Sequence, residues 1–264
     1  MFGLAFPLYQ KQPYQSDQIG YTWRRKVNDE RELIMKTIGL LGGMSWESTA
    51  LYYRQINQEV KKRLGGLHSA RLVMVSVDFE EIEILQRRDE WDRAGELLGA
   101  AARQVEAAGA DFLLICTNTM HKVAPQVQAA IDIPLLHIAD ATAERIKVEG
   151  IETIGLLGTN FTMEEEFYAG RLEARHGLRV LIPPPAEREI VHRVIFEELV
   201  LGEIKPESRQ KFVEIIAGLR ARGAEGVIEG CTEIVMLVRQ EHTDVPLFDT
   251  TAIHAQAAVE RALA

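Results

Sequence analysis

The sequence predicts an α/β protein built as two similar, doubly wound domains, each around a four-stranded parallel sheet. Three observations carry this reading. Short apolar strands alternate with helical patterns from Lys36 onward, and that alternation means parallel sheets, because a parallel neighbour is reached only through a crossover. Eight strand candidates are present, enough for two sheets of four. Three anchors also recur in the same order. Thr37-Ile-Gly-Leu-Leu-Gly42 returns as Thr153-Ile-Gly-Leu-Leu-Gly158, 116 residues later; Gly109-Ala-Asp returns as Gly223-Ala-Glu, 114 later; Ile133-Pro134-Leu135 returns as Val245-Pro246-Leu247, 112 later. A repeat that long is a duplicated domain, since solenoid modules run to only ~20–50 residues.

In chain order, Thr37–Leu41 reads as a buried strand, ended by Gly42-Gly43. Ser45 or Ser48 caps the next helix, whose inner face is expected to take Tyr53, Ile56, Val60 and Leu64. Arg71–Val77 is the second strand. A helix from about Glu90 to Ala108 places Ala94, Leu97, Leu98, Ala101 and Val105 on one face, with Gly109 as its stop. Phe112–Ile115 is the third strand and Ile133–Ile138 the fourth. Thr153–Leu157, Arg179–Ile182, Gly226–Ile228 and Val245–Phe248 supply four more. Between them, Ile190, Val191, Val194, Ile195 and Leu199 share one helical face, and Phe212, Ile215, Ile216 and Leu219 another.

The expected division is residues 35–132 with 243–264 as the first domain, and 133–242 as the second. Residues 1–34 read as an extension outside the fold: three tyrosines, a tryptophan, two prolines and the basic triplet Arg24–Lys26 show no period of 3.6 or 2. The apolar stretch Phe2–Leu8 is short, broken by Pro7 and preceded by no cation, unlike a signal peptide.

Composition excludes several classes. With 47% hydrophobic and 26% charged residues the chain has ample core, which a disordered chain lacks. The net charge of −9 repels phosphate backbones, so nucleic acid is not an expected partner. No apolar run reaches the ~18 residues of a membrane span, so no membrane is expected either. Two cysteines, Cys116 and Cys231, make neither a disulfide scaffold nor a four-thiolate zinc site, and point to a reducing cytoplasm. The histidines lack ligand spacing, and Gly39, Gly42 and Gly43 lack that of a dinucleotide loop. No metal or cofactor is expected.

The repeat aligns two reactive positions. Eight residues beyond Gly109 lies Thr117; eight beyond Gly223 lies Cys231. Each follows the C-terminal end of a strand, where open α/β sheets place ligands. Facing halves would set the two side chains on opposite sides of one cleft. Such a pair suits removal of a proton from one face of a carbon and its return on the other, which is racemisation or epimerisation.

Gly42-Gly43-Met44, Cys116-Thr-Asn-Thr-Met-His121 and Gly230-Cys-Thr-Glu-Ile234 resemble the aspartate/glutamate racemase family, close to its bacterial broad-specificity branch. The resemblance covers Met35 to the C-terminus. It implies two α/β domains related by a pseudo-twofold axis, an active site in the cleft between them, and cofactor-independent two-base racemisation of a small amino acid, commonly in a homodimer. The family usually has cysteine at both catalytic positions. Here the second is Cys231 but the first is Thr117, with Cys116 one residue early and, by strand alternation, facing away. A threonine hydroxyl is a far poorer base than a thiolate. The expected enzyme is therefore unequal in its two directions: by resemblance Cys231 deprotonates the L-enantiomer and Thr117 protonates the opposite face.

By the same resemblance Asn118, Thr119 and Thr232 hold the substrate α-carboxylate and amine, joined by Thr159 and, on the equivalent turn of the first half, Met44. Glu233 and His121 stand near enough to orient a base. For L-glutamate or L-aspartate a cation must meet the distal carboxylate, and Arg188, after Pro183-Pro-Pro185, is the candidate; Asp78 and Glu80 would repel that carboxylate if they faced the cleft. A neutral substrate such as homoserine stays open, as do a decarboxylase, isomerase or hydantoin racemase of the same architecture, and a binding protein without catalysis.

Overall fold

The computed structural model describes residues 35–264. The extension expected over 1–34 lies outside the described residues. The elements run β1 (Ile38–Gly42), α1 (Trp46–Leu64), β2 (Leu72–Ser76), α2 (Phe79–Arg87), α3 (Trp91–Ala107), β3 (Phe112–Ile115), a 3-10 turn (Thr119–Val123), α4 (Ala124–Ala129) and α5 (Ile138–Val148). Then follow β4 (Thr153–Leu157), α6 (Asn160–Glu164), α7 (Ala169–His176), β5 (Arg179–Leu181), α8 (Pro185–Glu197), a 3-10 turn (Leu199–Leu201), α9 (Pro206–Ala221), β6 (Gly226–Glu229), α10 (Ile234–Leu237), a 3-10 turn (Gln240–His242), β7 (Leu247–Asp249) and α11 (Thr250–Leu263).

The strands form two parallel sheets, ordered β2-β1-β3 and β5-β4-β6-β7. The fourth strand expected at Ile133–Ile138 is reduced to a single bridge, Leu113 to Leu135. Pro134 supplies only its carbonyl, to the Leu113 N–H, and the chain then turns into α5 after one further bond, from the Leu136 N–H to the Leu113 carbonyl. Sheet membership also corrects the expected division. Leu247–Asp249, placed at sequence level in the first domain, pairs with β6, and Leu135, placed in the second, pairs with β3. The chain changes halves after these strands and not before them.

The repeat is visible bond by bond. The Asp111 N–H donates to the Thr37 carbonyl and the Glu225 N–H to that of Thr153. In return the Thr37 N–H donates to the Asp111 carboxylate, and the Thr153 N–H to the Glu225 carboxylate at 2.8 Å. Leu113 donates to Pro134 and Val227 to Pro246. Beyond the strands, the Cys116 N–H donates to the Leu41 carbonyl at 2.9 Å and the Gly230 N–H to that of Leu157 at 2.7 Å. Thr117 and Cys231, each one residue further on, therefore share a register.

The helices that follow the last strands exchange partners. Ile138, Ala139, Ala143 and Ile146 of α5 pack in the core of the second sheet, with Ile154, Leu156 and Val227. Ala255, Ala258, Val259 and Ala262 of α11 pack with Ile38, Leu40, Phe112 and Leu114 of the first. Burial of these apolar faces, worth ~25 cal/mol per Å², ties each half to the other.

Helix α1 is capped by Ser45, whose side chain accepts the Ser48 N–H. Its buried stripe is Tyr52, Ile56 and Val60. Tyr52, and not the expected Tyr53, is the inward tyrosine: Tyr53 is 52% exposed, whereas Tyr52 is fully buried and donates its hydroxyl to His254 Nδ1 at 2.8 Å. Gly43 makes the turn before α1. Its φ is +94°, and a Cβ there would run into the Val77 backbone.

Candidate active site between the two halves

Parallel strands pointing the same way place their C-terminal loops together, and here both central loops are drawn to the start of α11. Asn118 Nδ2 donates to Thr250 Oγ1 at 3.1 Å, and Thr232 Oγ1 shares a proton with Thr251 Oγ1 at 3.1 Å. Asp249 caps this helix, accepting the Thr251 and Ala252 N–H groups.

A directed chain of hydroxyls joins the halves. The Ser48 hydroxyl donates to the Cys116 carbonyl at 3.1 Å, which can only accept. Its contact with Thr232 at 3.0 Å must then be a bond donated by Thr232. Thr232, having one proton, in turn accepts from Thr251. On the other flank Thr119 and Thr159 meet at 3.4 Å, and Thr159 also caps α6 through the Thr162 N–H. Lys122 closes that flank, pairing with Glu165 at 2.7 Å while lying over Trp91 at 3.8 Å.

Thr117 is half-buried. Its carbonyl accepts His121 Nδ1 at 2.7 Å, and His121 Nε2 accepts the Ile138 N–H at 3.2 Å. The backbone thus fixes His121 as the neutral Nδ1–H tautomer. Burial, then His137 and His254 nearby, hold its pKa well below the usual value. His254, lowered by burial to about 4, carries its proton on Nε2, donating to the Leu136 carbonyl at 2.9 Å. These histidines brace the Thr117 loop as neutral spacers.

Cys231 is half-buried, and its thiol donates to Glu233 Oε2 at 2.9 Å. Burial pushes the thiol pKa up, and the Glu233 charge pushes it further. Cys116, by contrast, is packed in the core with Tyr52 and Ala255, where burial likewise raises its pKa. Two residues before Cys231, at the end of β6, Glu229 is buried in register with Asp249. Burial first, then the Asp249 charge, raise Glu229 to about 8, and its Oε1 has no partner among the described residues. Burial raises Asp249 as well.

A cavity of about 610 Å³ opens between the N-terminal half of α1 and the second half's Leu199–Gly202 and Thr232–Met236. It reaches Thr232 and Glu233, the two residues after Cys231; Thr117 and Cys231 themselves do not line it. Among the described residues no three His, Cys, Asp or Glu side chains are placed to hold a metal ion, and no helix is long and apolar enough to cross a membrane.

The structure therefore gathers Asn118, Thr119, Thr159 and Thr232 around the loops that carry Thr117 and Cys231. It does not bring Met44 or Arg188 to them as substrate contacts. Met44 is 4% exposed and packs in the core with Leu41, Ile82 and Met120. Arg188 is held by Glu164 at 2.8 Å and the Pro183 carbonyl at 2.9 Å. Asp78 caps α2, its Oδ1 accepting the Glu80 N–H. Sequence reasoning missed Ser48 as a tie between halves, Glu229, and Arg54 on the cavity wall. Glu229 left one signal, a carboxylate at the end of an otherwise apolar strand.

The fold and these loops belong to one class of protein. The family model for Asp/Glu/hydantoin racemases matches residues 41–258, and the chain belongs to that family. Among solved structures it is similar to a Yersinia pestis protein assigned to the Asp/Glu racemases, with 56% identity, a TM-score of 0.84, and coverage of 87% of this chain and 100% of that one. An aspartate racemase homologue of Pyrococcus horikoshii shares 36% identity at a TM-score of 0.75, over 86% and 99% of the two chains. The broad-specificity amino-acid racemase RacX of Bacillus subtilis is 21% identical over 242 residues, 86% of this chain and 98% of the relative. The chain is a racemase by family, and so an isomerase acting on a small amino acid.

Proposed function

We propose that the protein racemises acidic amino acids without a cofactor, taking L-glutamate and L-aspartate to their D-forms. Cys231 removes the α-proton of the L-enantiomer, and Thr117 delivers a proton to the opposite face. One observation supports this most: the paired bonds from Cys116 to Leu41 and from Gly230 to Leu157 put Thr117 and Cys231 at one register of two related halves.

Asn118, Thr119 and Thr232 hold the α-carboxylate and amine in this reading, with Thr159 behind Thr119. For Cys231 to act as base its proton must leave, and Glu233 is the group already accepting it. A thiolate produced there is a strong base because its pKa is high. The hydroxyl of Thr117 gives its own proton to the α-carbon, and the alkoxide left behind is reprotonated by water after each transfer. In this reading the protein works in the cytoplasm as a homodimer; light scattering of the purified protein tests the oligomeric state.

Chiral chromatography of L-glutamate and L-aspartate incubated with the protein and no added cofactor tests the reading. The D-forms are expected, and Cys231→Ser is expected to remove them. D-product formed equally well by Cys231→Ser overturns the assignment of roles. If neither acid reacts while homoserine does, the alternative neutral-substrate racemase replaces the acidic one.

A further inference from the structure

The segment that carries Thr117 is tied to the second half twice. Thr119 meets Thr159 at 3.4 Å. Further along, His121 holds the Thr117 carbonyl, and the next residue is Lys122. The Lys122 ammonium donates to Glu165 Oε1 at 2.9 Å and lies 2.7 Å from Oε2. Glu165 ends α6, the helix whose N-cap is Thr159. The two segments that meet at Thr119 and Thr159 therefore meet again at Lys122 and Glu165.

Helix α6 depends on such contacts for its position. It has five residues, and helices shorter than about 12 residues are not stable on their own hydrogen bonds. Phe161, near its start, packs against the first half's core, which includes Ile82 and Met120, and meets the Trp91 ring edge-on at 5.3 Å. The Lys122 ammonium lies over that same ring, 3.8 Å from its centroid. The indole N–H of Trp91 donates to the Asp89 carboxylate, and Asp89, at φ +57°, is the one non-glycine with a positive φ among the described residues. Such a backbone persists only where its surroundings fix it, so the ring is a fixed seat for the cation. A free surface ion pair contributes little, because both side chains must be ordered to make it. Here the ring orders one of them in advance, and the Lys122 side chain is only 23% exposed.

We propose that Lys122 is a positioning residue of the site: held between Trp91 and Glu165, it sets the spacing of Thr119 and Thr159 across the cleft. The proposal rests on the racemase reading, in which Thr119, with Thr159 behind it, holds the substrate's α-carboxylate and amine. One ammonium meets both the carboxylate and the negative face of the ring, which no neutral side chain of its length can do. Removing the charge frees α6, lets Thr159 move off Thr119, and loosens the grip on groups that every α-amino acid shares. Lys122 acts through the two threonines and not on the α-carbon, so its loss weakens binding more than it slows proton transfer.

The test measures kcat and KM for α-proton exchange of L-glutamate, L-aspartate and L-homoserine by wild type, Lys122→Met, Lys122→Arg and Glu165→Gln. A part-buried contact between charged groups is worth about 10-fold. Lys122→Met keeps the side chain's length and is expected to raise KM about 10-fold, with kcat falling less than about threefold. The factor should be the same for each of the three that wild type exchanges, acidic or neutral. Lys122→Arg keeps both contacts and should stay within about threefold of wild type in KM. Glu165→Gln, on a side chain 32% exposed, should also raise KM, and adding it to Lys122→Met should cost nothing more, since the two share one contact. If Lys122→Met does not fold, Glu165→Gln decides alone. An unchanged KM in the variants, a loss in kcat alone, or losses that multiply in the double variant overturn the positioning role and leave the racemase reading intact. A wild type that exchanges none of the three overturns the racemase reading and the positioning role with it.

Discussion

The Cys231 thiol and the Glu233 carboxylate face each other at 2.9 Å, two residues apart on one loop. The contact holds the sulfur protonated, because both burial and the adjacent charge disfavour a thiolate. The raised pKa means that the thiolate fraction grows as pH rises through and beyond neutrality. Exchange of the L-substrate should therefore climb with pH, with a midpoint above the ordinary thiol value of ~8.5. Glu233→Gln removes the charge and should move that midpoint to lower pH. A pH–rate profile for both proteins checks this; a midpoint that stays or rises in the variant contradicts it.

The unequal pair at the two equivalent positions predicts unequal variants. Cys231→Ser should cost about 10²–10⁴-fold in exchange of the L-substrate, the usual worth of a positioned base. Thr117→Ala should lose D-product while still exchanging the α-proton of the L-form, since Cys231 can return a proton to the face it came from. Thr117→Cys should raise exchange of the D-substrate. Isotope exchange and chiral analysis on the same samples separate these outcomes.

Glu229 predicts a stability effect with a definite sign. Folding raises its pKa from ~4.3 to about 8, so the fold favours the protonated form. The protein pays for this as pH rises from about 4 to about 8, and the loss is complete above that. Glu229→Gln cannot ionise. It should be more stable than wild type by about 5 kcal/mol at pH 9, with the difference fading toward pH 4. Urea denaturation at several pH values measures it; a difference independent of pH contradicts the buried-acid account.

Gly43 and Gly65 separate two causes of glycine preference. Both have positive φ, +94° and +73°. At Gly65 an added Cβ meets open space, whereas at Gly43 it meets the Val77 backbone. Gly65→Ala should cost about 1–2 kcal/mol through its backbone conformation alone, φ +73° with ψ −168°. Gly43→Ala should cost about 2–4 kcal/mol, adding displacement of the turn before α1. Equal losses in denaturant titrations contradict this reading.

Much of the fold is legible because apolar runs and glycine stops are local. Phe112–Ile115 and Thr153–Leu157 appear in the structure with the bounds read from sequence. The strand at Ile133–Ile138 was less legible: its composition matches Val245–Phe248, but only the latter runs into a strand of three paired residues, Leu247–Asp249, and the turn into α5 ends the former after one. The inward tyrosine was missed because adjacent tyrosines differ in burial only by helix rotation. The register of Thr117 and Cys231 is legible because the repeat is gap-free between the anchors and those residues. Neither the ion pair of Arg188 to Glu164 nor the packing of Met44 with Ile82 leaves a sequence pattern. Ser48 and Thr232 are 184 residues apart, and a bond across that separation is set only by the assembled sheets.

The most direct test of the central claim is proton NMR of L-glutamate and L-aspartate in D₂O with the protein and no added cofactor. The account predicts loss of the α-proton signal, accumulation of deuterated D-enantiomer, and loss of both in Cys231→Ser. D-enantiomer that forms while keeping its α-proton, or exchange that survives Cys231→Ser undiminished, would contradict it.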